Sequence, residues 1–388
     1  MVEGSSIQAS HRGEARIDGY LGIRSGPRPP PLASVEAHCR IRAMISVVIP
    51  CLNEVEFIDA TLESLLRQEP PGVDWEVIVA DGGSTDGTRE KLETWSKRHP
   101  VIRWIENPKR TTPYALNRGI EAAKGDVVII LGAHAEVSRD WLLRNHQVLL
   151  AHPESGCVGG VVEQVHGSKV SQRIGSAMST PFGVGDAKFR TGGSAGHVDT
   201  VAFGAYRRDA LEEIGLFDVA LSRNQDDELN YRLLKSGWRI WFDPRISSQY
   251  HVRSTYRNLV RQYYQYGYWK VFVNLKHRTI TTWRQTVPAL FLLVLLGAGA
   301  CWMAEAMGHW NDMWNGFGVS IFVSSLFLWL VLGAGSAIAS AGSYRDVPGI
   351  IRAYAMIHAG YGLGYWKGIL DFMVLRRSPS DDHAELTR

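Results

Sequence analysis

Two adjacent carboxylates, Asp226 and Asp227, open the stretch "NQDDELNYRLLKSG", in which Leu229, Leu233 and Leu234 recur at helical spacing. A helix N-terminus favours negative charge by about 0.3–1 kcal/mol per residue, so the pair could be only a first-turn stabiliser. It could also do acid–base chemistry, because a carboxylate held beside a bound alcohol can take its proton during attack. A further acid, Asp81, stands in "ADGGSTDGT" at an expected strand end followed by two glycines. There it could reach a ribose hydroxyl or a base N–H while the backbone lets a ligand approach closely. The same composition would also make an ordinary turn in which Thr85 or Asp86 caps the next helix.

The elements that must position these groups follow βαβ grammar from Met44 onward. "ISVVIP" (45–50), "EVIVA" (76–80), "VIRWI" (101–105), "DVVIIL" (126–131) and "GCVGGVVEQV" (156–165) read as strands. Helical spacing between them is carried by Ile58, Leu62 and Leu65, by Leu92 and Trp95, by a segment from Thr112 and Pro113 to Gly125, and by one from Ser138 through Leu149. A largely parallel, doubly wound α/β sheet is expected, with ligands at the carboxyl ends of its strands. Those ends bring Pro50, Asn53, Glu54, Asp81, Asn117 and "GAH" (132–134) towards one another.

In this order and spacing, "VVIPCLNE", "DGGSTDGT", "ALNRGIEAAKGD" and "NQDDELNYRLLKSGWRIWFDP" resemble the inverting family-2 glycosyltransferases of the GT-A fold, over roughly residues 45–280. "VDTVAFGAYRRDALEEIGLFD" is similar, more narrowly, to succinoglycan-type exopolysaccharide glucosyltransferases. The resemblance implies a nucleotide-sugar donor held by Pro50, Asn53, Glu54, Asp81 and Asn117. It implies Asp227 as the base that deprotonates the acceptor, with Asp226 orienting acceptor or loop. The family also places Asp-x-Asp at the end of the fourth strand to hold Mg²⁺ or Mn²⁺ against the diphosphate. Here Gly132 and His134 replace those acids. A divalent-metal site built from His134, Glu136 and His251 is therefore expected, the nitrogen ligands suiting Mn²⁺ better; a histidine that is merely hydrogen-bonded is the alternative. Lys109, Arg110, Arg253 and Arg257 are further candidates to neutralise the diphosphate. The glycine-dense stretch "GVGDAKFRTGGSAGHVDTVAFGAYRR" lacks a GxGxxG after a strand, which argues against a Rossmann site and leaves a lid, an acceptor loop or a plain surface loop.

The formal charge of +3 on 388 residues is too mild to imply nucleic-acid binding. Its distribution is uneven: after Asp243 no acid occurs until Glu305, while Arg245, Arg257, Arg261, Lys270, Lys276 and Arg284 accumulate. Residues 253–284 are expected to form a basic amphipathic segment on anionic lipid, or else a basic helix packed on the catalytic domain. Gln285 to Ala304 and Met313 to Tyr344 are uncharged runs long enough to cross about 30 Å of hydrocarbon, with Trp302, Trp310 and Trp314 at the far interface. A third apolar segment, broken by Arg352, Lys367 and Asp371, could span, re-enter or lie at the interface; its glycines at 360, 362 and 364 would permit close helix packing.

The expected organisation is a disordered leader (1–43) without a secretory signal, a GT-A domain (44–252), the basic segment (253–284), a membrane region (285–372) and a polar tail (373–388). Met44 is a possible translation start. The four cysteines form no CxxC pair, consistent with a reducing compartment. The implied protein is a multi-pass inner-membrane enzyme facing the cytoplasm, moving a hexose from a UDP-linked donor to a lipid-linked saccharide. The alternatives are a degenerate scaffold, suggested by Gly132, and a polyprenyl-phosphate sugar synthase.

Overall fold

The computed structural model describes residues 44–252, 255–307 and 316–377. The expected leader, Arg253, Trp310, Trp314 and the tail beyond residue 377 lie outside the described residues.

The βαβ alternation begins at Met44. In order come β1 (Met44–Cys51), α1 (Ile58–Leu66), β2 (Asp74–Asp81), α2 (Thr88–Arg98), β3 (Ile102–Glu106), α3 (Thr112–Ala122) and β4 (Val127–Ile130). These strands are β-branched runs with both faces covered. Val47 and Ile49 pack into one core with Ile58, Leu62 and Leu65 of α1, and Val48 packs into the other with Leu116 and Ile120 of α3.

The chain continues through β5 (Ala135–Val137), α4 (Trp141–Ala151), β6 (Ser155–Val165), α5 (Lys169–Met178), α6 (Pro181–Val184), α7 (Lys188–Thr191), β7 (Gly196–Val198), β8 (Ala202–Arg207), α8 (Arg208–Ile214), α9 (Gln225–Lys235) and β9 (Arg239–His251). Strand order is β3-β2-β1-β4-β8-β6-β9-β5, with β7 paired to β9. The expectation of a largely parallel sheet holds only for the first half. β8 inserts antiparallel between β4 and β6, so the second half is mixed. Each of β2, β3 and β4 follows a crossover helix, which enforces parallel pairing, whereas the excursion through α5, α6, α7 and β7 lets the chain re-enter reversed at β8.

Beyond the sheet lie α10 (Tyr256–His277), a 3₁₀ turn (Trp283–Thr286), α11 (Val287–Ala306), α12 (Phe317–Ser340), α13 (Val347–Gly368) and a short π-helix (Ile369–Val374). Two helical stretches, Trp283–Ala306 and Phe317–Ser340, are each 24 residues long with mean hydropathy 2.1, long and apolar enough to cross a membrane. Leu290, Leu296, Phe327 and Leu328 leave them exposed and apolar, as expected of a lipid-facing surface.

The basic segment differs from a helix lying on lipid. Tyr268, Trp269, Lys270 and Val271 of α10 are consecutive and buried, so at this turn the helix is enclosed around its whole circumference. One side meets α13 at backbone distance. A Cβ on Gly360, Gly364 or Gly368 would stand 2.8, 2.0 or 2.8 Å from the carbonyls of Val260, Tyr264 and Tyr268. This four-residue repeat makes a groove that receives α10, as small residues do where helices pack tightly in lipid. Gly364→Leu should therefore force α10 and α13 apart and lower thermal stability in detergent by about 1–3 kcal/mol or more. Gly297→Leu, at a position with nothing within 4 Å of the added Cβ, should leave the unfolding temperature unchanged.

Candidate functional site

A cleft of about 920 Å³ opens at the carboxyl ends of β1 and β4, between the parallel half of the sheet and the start of α9. Pro50, Asn53, Glu54, Arg110, Gly132, His134, Asp226 and His251 line it. Chains leaving parallel strands expose their backbone at these ends, so the topology gathers the residues without further design.

Asn53 adopts φ 55° after β1. Its amide N–H donates to Ser84 Oγ (2.8 Å) and its Oδ1 accepts from Thr85 N–H (2.9 Å). The loop after β1 is thereby sewn to the loop after β2. Asp86 completes the seam, its Oδ2 accepting from Val55 N–H (3.1 Å) and its Oδ1 from Thr88 N–H (3.0 Å).

Several expected site residues lie elsewhere. Asp81 is fully buried, its carboxylate accepting from Gly83 N–H (3.1 Å), Ser84 Oγ (2.5 Å) and Arg89 Nε (2.9 Å). It spends its acceptor capacity on shaping its own loop. Asn117 exchanges two hydrogen bonds with the backbone of Phe217, 2.8 and 2.9 Å, clamping α3 to the segment before α9. Lys109 and Arg257 are exposed and do not line the cleft.

The three-residue metal site is not assembled. Among the described residues no three His, Cys, Asp or Glu side chains converge. Glu136 faces His251 at 3.8 Å across the β5–β9 edge, while His134, in the turn before β5, is paired with Glu54 instead. Its Nδ1 lies 3.2 Å from Glu54 Oε1. A histidine that donates one N–H to a carboxylate keeps its other nitrogen as a lone-pair ligand in a fixed orientation. His134 Nε2 thus fits a cation whose remaining ligands come from a diphosphate, as is usual for sites that are not all-protein cages. Gly132 has its own structural reason. The ring of Phe203 lies 3.3 Å from where its Cβ would be, and Phe203 itself is held at φ 51°. Any side chain at this position would press on that ring, which would have to give by a few tenths of an ångström.

The two carboxylates of α9 separate sharply. Asp226 lines the cleft, and its Oδ1 accepts from Asp227 N–H at 2.9 Å. Its side chain is reached by solvent through the cleft but has protein on most sides; that enclosure, and next the charge of Asp227, push its carboxyl above the ordinary value. Asp227 points the other way. Its Oδ2 is 2.5 Å from Lys270 Nζ, whose side chain is fully buried in α10 and also donates to Thr282 Oγ1 at 3.3 Å. The carboxylate expected to face the reacting centre is thus held in an ion pair outside the cleft lining.

Lys270, the key partner, carried a legible signal: a single lysine inside "YGYWKVFV" has to find an anion if that run is buried. Arg223, Gln225 and Asn258 also line the cleft, but nothing in their spacing announces it. Losing one partner of such a pair strands a buried charge, at a cost of about 3–5 kcal/mol. Lys270→Met should accordingly lower the unfolding temperature markedly, and Lys270→Met with Asp227→Leu should recover most of the loss; equal stabilities of single and double variants would contradict the pairing.

Residues 46–215 match the family model described as glycosyl transferase family 2. The chain is 32% identical to the succinoglycan biosynthesis protein ExoA of Rhizobium meliloti (strain 1021), over 84% of this chain and 95% of that protein. It is 31% identical, over 64% of this chain and 80% of the other, to the dolichyl N-acetyl-alpha-D-glucosaminyl phosphate 3-beta-D-2,3-diacetamido-2,3-dideoxy-beta-D-glucuronosyltransferase of Methanococcus voltae. In fold it is similar to the mannosyltransferase PcManGT of Pyrobaculum calidifontis, solved in complex with GDP-Man and Mn²⁺, with a TM-score of 0.52 and 21% identity over 84% of this chain and 87% of that one. With the strand-end cleft and the carboxylate pair of α9 in the places such a fold provides, the chain belongs to the family-2 glycosyltransferases, with a GT-A fold.

Proposed function

We propose that the chain is a membrane-anchored inverting hexosyltransferase of exopolysaccharide or cell-surface glycan synthesis. Its donor is a nucleotide sugar, a UDP-hexose such as UDP-glucose, and its acceptor is a lipid-linked saccharide. The carrying observation is Asp226, a carboxylate on the first turn of α9, open to the cleft that Pro50, Asn53 and Arg110 also line. We assign it, rather than Asp227, the role of general base, since only the former faces the cleft.

In this reading Asp226 takes the proton of the acceptor hydroxyl as that oxygen attacks the anomeric carbon. The bond from that carbon to the diphosphate oxygen breaks, its electron pair leaving with the nucleoside diphosphate from the opposite face, so configuration inverts. The proton ends on Asp226. Arg110 can meet the diphosphate charge. A divalent cation on His134 Nε2 would supply further electrostatic stabilisation to the leaving group. The two apolar helices and the arginine-rich approach to them support anchoring in the inner membrane with the catalytic domain on the cytoplasmic side. The names of the relatives support a glycan product, and one of them names a lipid-phosphate-linked sugar.

Membranes containing the protein should transfer hexose from UDP-glucose or a related donor to lipid extract. Asp226→Asn should reduce that rate about 100- to 10,000-fold without lowering thermal stability. Retained activity would refute the base assignment, and absence of transfer with every donor would favour a non-catalytic scaffold. The active form is the deprotonated carboxylate, so the rate should rise with pH through the raised pKa of Asp226. Asp227→Asn removes a neighbouring negative charge and should shift that rise to lower pH. A pH–rate profile at permissive temperature checks the sign.

A further inference from the structure

Nearly every arginine enclosed by this fold is spoken for: Arg89, Arg103, Arg173, Arg232 and Arg284 each meet a carboxylate. Buried Arg207 meets the backbone carbonyls of Ser155 and Leu149 instead; Arg190 differs from all of these. Its Nη1 is buried without a hydrogen-bond partner, and its guanidinium lies 5.3 Å from the centroid of the neighbouring Phe189 ring. A guanidinium N–H buried without a partner is costly unless an acceptor arrives to meet it, and an anion meets it best.

Its surroundings say which anion. Arg190 lies on α7 in the glycine-dense loop. That loop is tied at both ends by Arg284, whose Nη1 is 3.0 Å from Asp186 Oδ1 and 2.5 Å from Asp199 Oδ2. Arg284 belongs to the turn that leads into the first membrane-length helix. Arg190 does not line the donor cleft, whereas Asp226 does, and Arg190 lies within electrostatic reach of Asp226 and of Tyr263 on α10. Tyr361 of α13 carries a second unmet group, a buried hydroxyl with no partner, within similar reach of Asp227 and Arg284. Two unmet donors thus lie within electrostatic reach of the carboxylate pair, one on the loop tied to Arg284 and one on α13. A nucleotide in the cleft and a general base at Asp226 leave these donors for the acceptor.

We propose that Arg190, assisted by the Tyr361 hydroxyl, binds the phosphate of a lipid-linked acceptor and so seats its terminal sugar hydroxyl against Asp226. Guanidinium and phenol are both donors, matching phosphate oxygens and offering nothing to a neutral lipid. The loop glycines Gly185, Gly192 and Gly193, at φ 70°, 73° and 121°, allow the arginine to be carried to a headgroup.

The inference rests on the transferase reading but is tested by binding, which needs no turnover. The full chain in detergent is titrated with farnesyl diphosphate, farnesol, inorganic pyrophosphate and UDP. Arg190→Gln should weaken farnesyl diphosphate binding about tenfold or more, equivalent to ~1.4 kcal/mol, and Arg190→Lys less. Farnesol and UDP should be unchanged, and inorganic pyrophosphate should bind more weakly than the lipid. An equal or greater loss for UDP would assign the arginine to the donor and overturn the proposal. Farnesyl diphosphate binding unchanged in Arg190→Gln would overturn it too, as would pyrophosphate binding as tightly as the lipid. Arginine-dependent lipid binding in a wild-type protein with no transferase activity would refute the enzymatic reading and leave this one standing.

Discussion

The ion pair between Asp227 and Lys270 joins the two halves of the molecule. Lys270 is fully buried in α10, and 2.5 Å separates it from a carboxylate on the first turn of α9. A buried ammonium cannot be left alone without a penalty of several kcal/mol, so α9 is held in one rotational setting relative to α10. Because the two aspartates are consecutive on a helix, about 100° apart around its axis, fixing one fixes the other. Asp227 turned to the lysine means Asp226 turned to the cleft. A contact outside the cleft lining thereby determines which carboxylate faces the cleft.

The same helix transmits this constraint outward. On one side α10 bears on α9 through Lys270, and through Lys276 and His277, which reach buried Glu228 at 2.7 and 2.9 Å. On the other it lies in the glycine groove of α13, where backbone meets backbone. Close packing of this kind has little tolerance, since interiors deform at high cost. The catalytic helix is consequently registered to the membrane-facing helices through two unyielding contacts, one electrostatic and one steric. The carboxylate that faces the cleft is thereby held at a fixed position relative to the helices that follow the sheet.

Much of the fold was legible in the residues. β-branched runs at Ile45, Val77 and Val127 could only be buried strands once helical spacing appeared between them, and the apolar runs from Gln285 and Met313 could only be membrane-length helices. The glycines at 360 and 364 announced close helix packing through their lack of side chains. The reversal at β8 was not legible, because a strand carries no local mark of its direction; pairing partners set it. The burial of α10 was missed because interleaved aromatic and basic residues read equally well as a face on lipid or a face on protein, and only the glycine groove opposite decides.

The site divides along the same line. The presence of carboxylates at 81, 226 and 227, and of histidine where an acid was expected, is a property of the sequence alone, as is the type of chemistry that such groups permit. Their assignments belong to the tertiary structure. Asp81 is consumed by its own loop and Arg89, His134 is turned to Glu54 rather than Glu136, and Phe203 occupies the space beside Gly132. Spacing along a chain determines which residues can be neighbours, but a side chain's direction is chosen by the partners that satisfy its charge and hydrogen bonds, and for His134 and Asp227 those partners lie tens of residues away.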